Sequence, residues 1–141
     1  MTTQARPATE ADITALVGRF YALALDDDLL GPMFRATIPD LEPHLRIVEN
    51  FWSTHLLGAA RYAGSAYPQH VHLRVEPVHF DRWMAAFTKA VDETLPVAAA
   101  DSAMRRARQM TSAFKAGMLP LPPTRHRSAG ASAISSNVES R

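Results

Sequence analysis

Apolar residues recur at helical spacing along most of the chain. Ile13, Leu16, Val17, Phe20 and Ala24 make one stripe, and Thr9 with Asp12 ahead of it reads as a capping box. The stripe runs into three acids, Asp26, Asp27 and Asp28. Residues 29–34 then predict a turn and one short helix. Asp40 is placed to cap a long helix that tolerates Pro43 in its first turn and carries Leu41, Leu45, Val48, Trp52 and Leu56 on one face. Residues 58–64 break it, and residues 65–75 read as a loop holding one or two helical turns. Pro77 suits the first position of the next helix, whose apolar face is Phe80, Trp83, Met84, Phe87 and Val91 and which Pro96 stops. Asp101 is the expected cap of a last helix with Met104, Ala107, Met110 or Thr111, Phe114 and Met118 on its face. No useful length alternates as a half-buried strand would. The fold class is all-α.

The pattern stops after Met118. Residues 119–141 hold three prolines early and continue in small residues and serine, with almost nothing to pack beyond isolated residues such as Ile134 and Val138, so they predict a disordered C-terminal tail. Residues 1–118 are the expected single domain. The whole chain has a formal charge of +1, but the tail holds Arg125, Arg127 and Arg141 against Glu139 alone, which leaves the domain slightly acidic. That balance gives no electrostatic case for nucleic acid. No apolar run approaches the ~20 residues of a membrane span, and the N-terminus lacks the apolar stretch of a secretory signal, so a soluble cytoplasmic protein is the expectation.

With no cysteine, the chain has no disulfide, thiolate nucleophile or thiolate metal ligand. Chemistry must come from the six histidines, the aromatics, the carboxylates or a cofactor. His44 and His55 fall on the long helix after Asp40, His70 and His72 in the broken segment, His79 just after Pro77, and His126 in the tail. None of them stands in an HExxH or in a carboxylate-rich helix pair with Glu-x-x-His, and a lone histidine is ordinarily a surface or half-buried residue. Two stand out. His44 shares a helix face with Val48 and Phe51. His70 precedes the most aromatic helix, and a histidine above an apolar slot is a way to present one imidazole to a haem iron. Tyr21 and Trp83 lie on or beside apolar faces, and each carries a polar hydrogen that needs an acceptor if buried. Their bland alternatives are a tyrosine that reaches the surface and a tryptophan bonded to a carbonyl.

A series of short motifs now stands in order. They are Phe20-Tyr21, Asp28-Leu29, Gly31-Pro32-Met33-Phe34, His44, Asn50-Phe51-Trp52, Leu56-Leu57-Gly58, Tyr62-Ala63-Gly64, His70 with Leu73, and His79-Phe80-Asp81-Arg82-Trp83. In this order and spacing, from about Ile13 to Met118, the chain resembles the truncated haemoglobins, specifically their third group. It lacks the glycine-glycine turn pairs of the other groups. The resemblance implies a shortened globin fold, two helix pairs over two, around a haem b. His70 matches the proximal iron ligand, with His72 the competing candidate. Tyr21 and Trp83 match a polar distal pair that donates hydrogen bonds to a diatomic ligand, and His44 matches the distal-helix histidine, a candidate gate. Val48 and Phe51 would wall the distal side, and Phe34 would pack against the porphyrin. Tyr67, Arg46, Arg61, Arg74 and His79 are candidates for the haem edge.

The implied function is binding of O2, NO, CO or peroxide, and strong distal donation points to slow release and to reaction at the iron, NO oxidation or peroxide chemistry, or to ligand sensing. Such turnover needs electrons, and with no GxGxxG in the chain a separate reductase is the implied partner. The alternative is a cofactor-free all-α interaction or regulatory module. Its best recognition helix would carry Arg105, Arg106, Arg108 and Lys115, a modest cluster that is more often a solvated face.

Overall fold

A computed structural model describes residues 6–63, 70 and 73–118. Tyr67, His72, His126 and the expected tail lie outside the described residues. Five helices follow one another: α1 Glu10–Asp26, α2 Leu30–Thr37, α3 Leu41–Leu57, α4 Pro77–Thr94 and α5 Val97–Met118. No strand occurs among the described residues.

The first helix starts where its sequence says. Thr9 accepts from the Asp12 N–H and Asp12 accepts from the Thr9 N–H, so two donors at the helix start are satisfied reciprocally. Arg6 grips the same carboxylate at 2.6 and 2.8 Å. That grip, with the Thr9 bonds, pulls the Asp12 carboxyl down to about 2. Its pKa in the unfolded chain is higher, so its contribution to stability is full above about pH 4 and is lost as pH falls toward about 2. Asp12→Asn should therefore unfold more readily than the parent near neutrality. Below about pH 4 the parent should lose stability more steeply than the variant, in urea titrations across that range.

The turn between α1 and α2 is built by Asp27, whose carboxylate accepts from the N–H groups of Leu29 and Leu30. Arg82, on α4, closes on the same carboxylate at 2.8 and 3.0 Å and on Asp28 at 3.0 Å. The backbone bond from Leu30 is the first of the contacts that hold the Asp27 carboxyl below its ordinary range. At Gly31 the start of α2 lies so close to the Leu25 carbonyl that a Cβ would strike it, so glycine is required for the close approach.

The ends of α3 differ in how they are capped. Asp40 occupies the expected cap position, but its side chain makes no capping bond. At the other end Gly58 adopts a left-handed φ of 75°, and Ala59 returns its N–H to the Ser53 carbonyl at 3.3 Å. The last helix starts at Val97, four residues before Asp101, because Pro96 itself supplies the first carbonyl, to the Ala100 N–H at 2.8 Å.

The core sits where α1 meets α3 and α4. Ile13, Leu16, Val17, Phe20 and Ala24 from α1 are buried with Phe51 and Trp52 of α3 and with Phe87, Ala90 and Val91 of α4. Ala103 and Ala107 bring α5 against them. Trp52 and Trp83 both stack on Phe87, with ring centroids 5.0 Å away in each case. The one buried polar side chain among the described residues, Ser53, donates to Glu10 at 2.8 Å and ties α3 to the start of α1. Among the described residues, no helix is long and apolar enough to cross a membrane.

Candidate functional site

Beside this core lies a cavity of about 570 Å³, inside the ~300–1,000 Å³ range of small-molecule and cofactor sites. Helical periodicity builds its walls. On α3, His44, Val48 and Phe51 stand one turn and two turns apart on one face. On α4 the same logic brings His79, Phe80, Trp83 and Phe87 to it, and on α5 Met110, Thr111 and Phe114. From α1 come Phe20 and Tyr21, and from α2 comes Phe34.

His70 lines the same cavity from the segment between α3 and α4. Its carbonyl accepts from the Leu73 N–H at 3.0 Å, which closes one turn there. Its ring lies 5.2 Å from that of Phe114, tilted by 37°. Thus Tyr21, Phe34, His44, Val48, Phe51, His70 and Trp83, which the sequence singles out, all line one space. They come from four helices and a turn.

The polar groups are few. The Tyr21 hydroxyl and His44 Nε2 are 2.9 Å apart. Tyr21 is buried, and burial raises its phenol above the ordinary value, so it remains a protonated donor. Burial lowers His44, and the charge of His70 lowers it further. Trp83 is half-buried between Phe20 and Phe87. The bland alternative for Tyr21 does not hold, since the tyrosine does not reach the surface.

Most of the other wall residues were not expected from the sequence. Phe80, Phe87, Met110 and Phe114 line the cavity, although their spacing reads equally as ordinary core. Of the candidates for the edge, Arg61 pairs with Glu10 at 3.1 Å and Arg46 approaches Glu42 at 3.8 Å. Neither lines the cavity, nor does Arg74.

The residues present fit haem. Its macrocycle needs a broad apolar slot, and the walls are phenylalanine, valine, methionine and tryptophan. Its iron needs neutral imidazole, and His44, His70 and His79 all line the slot.

Comparison with known proteins bears on the whole chain. A group III truncated hemoglobin from Campylobacter jejuni superposes with a TM-score of 0.75 over 86% of this chain and 98% of that one, at 24% identity. The shared fold is the shortened globin fold. No curated protein matches. The model of the bacterial-like globin family matches residues 8–118, nearly all of the helical part. The chain belongs to that family and is a haem-binding globin.

Proposed function

We propose that this globin works as a group III truncated haemoglobin, with His70 ligating the iron of haem b and with Tyr21, Trp83 and His44 facing a diatomic ligand. One observation carries this reading: His70, the hydrogen-bonded Tyr21–His44 pair and Trp83 line a single apolar cavity. Haem, when bound, supplies an iron that takes O2, NO or CO and changes oxidation state.

The chain's own residues do the rest. His70 holds the haem through one ring nitrogen. Phe34, Val48 and Phe51 exclude water, and in a dry site each hydrogen bond to developing negative charge is worth more than in solvent. The Tyr21 phenol, kept protonated by burial, and the Trp83 indole donate to a ligand that gains negative charge. Two such donors favour slow release, which suits reaction over bulk delivery. NO oxidation or peroxide reduction is the reaction class, with electrons from a separate reductase.

The test has two steps. Full-length protein titrated with haem should develop an intense Soret band. The ferrous oxygenated form, mixed with NO or with peroxide in a stopped-flow instrument, should turn over with one of them. No Soret band would overturn the whole reading, and a band without turnover by either would leave binding and sink the reaction.

A further inference from the structure

Haem b carries two carboxylates, and something at the rim of the cavity must receive them. Among the residues described, the basic candidates are reduced to one. Arg61 and Arg46 face Glu10 and Glu42, and Arg74 does not line the cavity. His79 does line it and is half-exposed, which puts its ring at the rim.

The ring is also fixed in a useful sense. Its Nδ1 accepts the Glu76 N–H at 2.9 Å, across the first turn of α4. An accepting Nδ1 carries no hydrogen, so in the neutral ring the hydrogen sits on Nε2. No described residue accepts from that Nε2. The remaining polar side chains of the cavity suit a carboxylate less. Asp40 would repel it, Thr111 already donates to the Ala107 carbonyl, Tyr21 and His44 are bonded to each other, and Thr37 and Tyr62 offer hydroxyls whose direction nothing fixes. His79 also stands at the start of α4, where the helix dipole favours an anion.

We propose that His79 is a haem-edge residue whose Nε2–H donates to one carboxylate of the bound haem, with Glu76 holding the ring in the donating tautomer. The proposal rests on the globin reading above. It extends that reading from the iron to the rim. In this arrangement the backbone bond that starts α4 also aims the donor, so helix start and cofactor edge are one structure.

The experiment compares haem with haem dimethyl ester, which lacks both carboxylates, on the full-length apoprotein, following the Soret band. Two variants are needed. His79→Ala removes both the donor and the acceptor for Glu76. His79→Glu can still accept the Glu76 N–H, as glutamate does at this position of a capping box, but cannot donate to a carboxylate. The parent should bind haem more tightly than the ester. Both variants should lose about fivefold or more of that preference, read as the haem-to-ester ratio within each variant, as expected for loss of a hydrogen bond to a charged group. An unchanged haem-to-ester ratio in both variants would overturn the role of His79. Absence of a Soret band in the parent with either porphyrin would overturn the globin reading and this proposal with it.

Discussion

His70→Ala is expected to abolish imidazole ligation of the haem iron, while His72→Ala retains it. The argument begins with position. His70 lines the cavity beside Phe114, its ring 5.2 Å from that aromatic face, and its carbonyl is held in a turn by Leu73. Two residues on, His72 lies outside the described residues. The resemblance matches His70, and not His72, to the proximal position. An alanine at position 70 leaves the apolar walls intact, so haem should still enter, but weakly and with an altered ferrous spectrum. Free imidazole added to His70→Ala should refill the vacated space and restore the parent spectrum, and the same addition should leave His72→Ala unchanged. Resonance Raman of the ferrous protein reads the iron–imidazole stretch directly. Its loss in His72→Ala and survival in His70→Ala would transfer the ligand to His72.

How much of this was legible before the coordinates depends on the kind of information each residue carries. Helix faces were legible because burial imposes a period, and the stripe Ile13, Leu16, Val17, Phe20 and Ala24 is the buried face of α1. An Asp101 cap puts the start of α5 five residues too late, because Asp101 is a good cap residue that here lies inside the helix. Pro96 begins the helix, and three alanines in a row propagate it. Asp40 shows the reverse: the position was right and the bond is not made.

The site divides in the same way. Tyr21, His44, His70 and Trp83 stood out because each is a polar group among apolar ones, and all four line the cavity. Phe87 and Phe114 could not stand out. An apolar residue at helical spacing carries no mark that says whether it faces another side chain or an open slot. Nor could the Arg82–Asp27 contact be read, since it joins residues far apart in sequence across the turn before α2. That contact anchors α4 one residue before Trp83, so a surface ion pair helps to set where a cavity residue stands. Resemblance to a family supplied what spacing alone did not, namely which of several histidines to follow.

The polar pair supplies the second large effect. Tyr21→Phe or Trp83→Phe should speed O2 dissociation by about tenfold or more, a factor that corresponds to ~1.4 kcal/mol. Counting hydrogens explains why both matter. Tyr21 has one O–H and His44 Nε2 stands 2.9 Å from its oxygen. Burial disfavours the charged form of His44, so only one of its ring nitrogens carries a hydrogen. If that hydrogen is on Nε2, His44 donates to the tyrosine oxygen and the phenol proton is left for the ligand. If it is on Nδ1, the phenol proton points to His44 and must be turned toward the ligand when one arrives. The indole of Trp83, stacked on Phe87, has a single N–H to give. The two donors would face one ligand and both pack on Phe20, so their losses should not simply add, and the double variant measures their coupling. His44→Leu separates the tautomers: release slows if His44 had been taking the phenol proton and quickens if it had been holding the tyrosine oxygen. Stopped-flow displacement of O2 by CO reads all four variants, and unchanged release in both single variants would show that neither Tyr21 nor Trp83 faces the ligand.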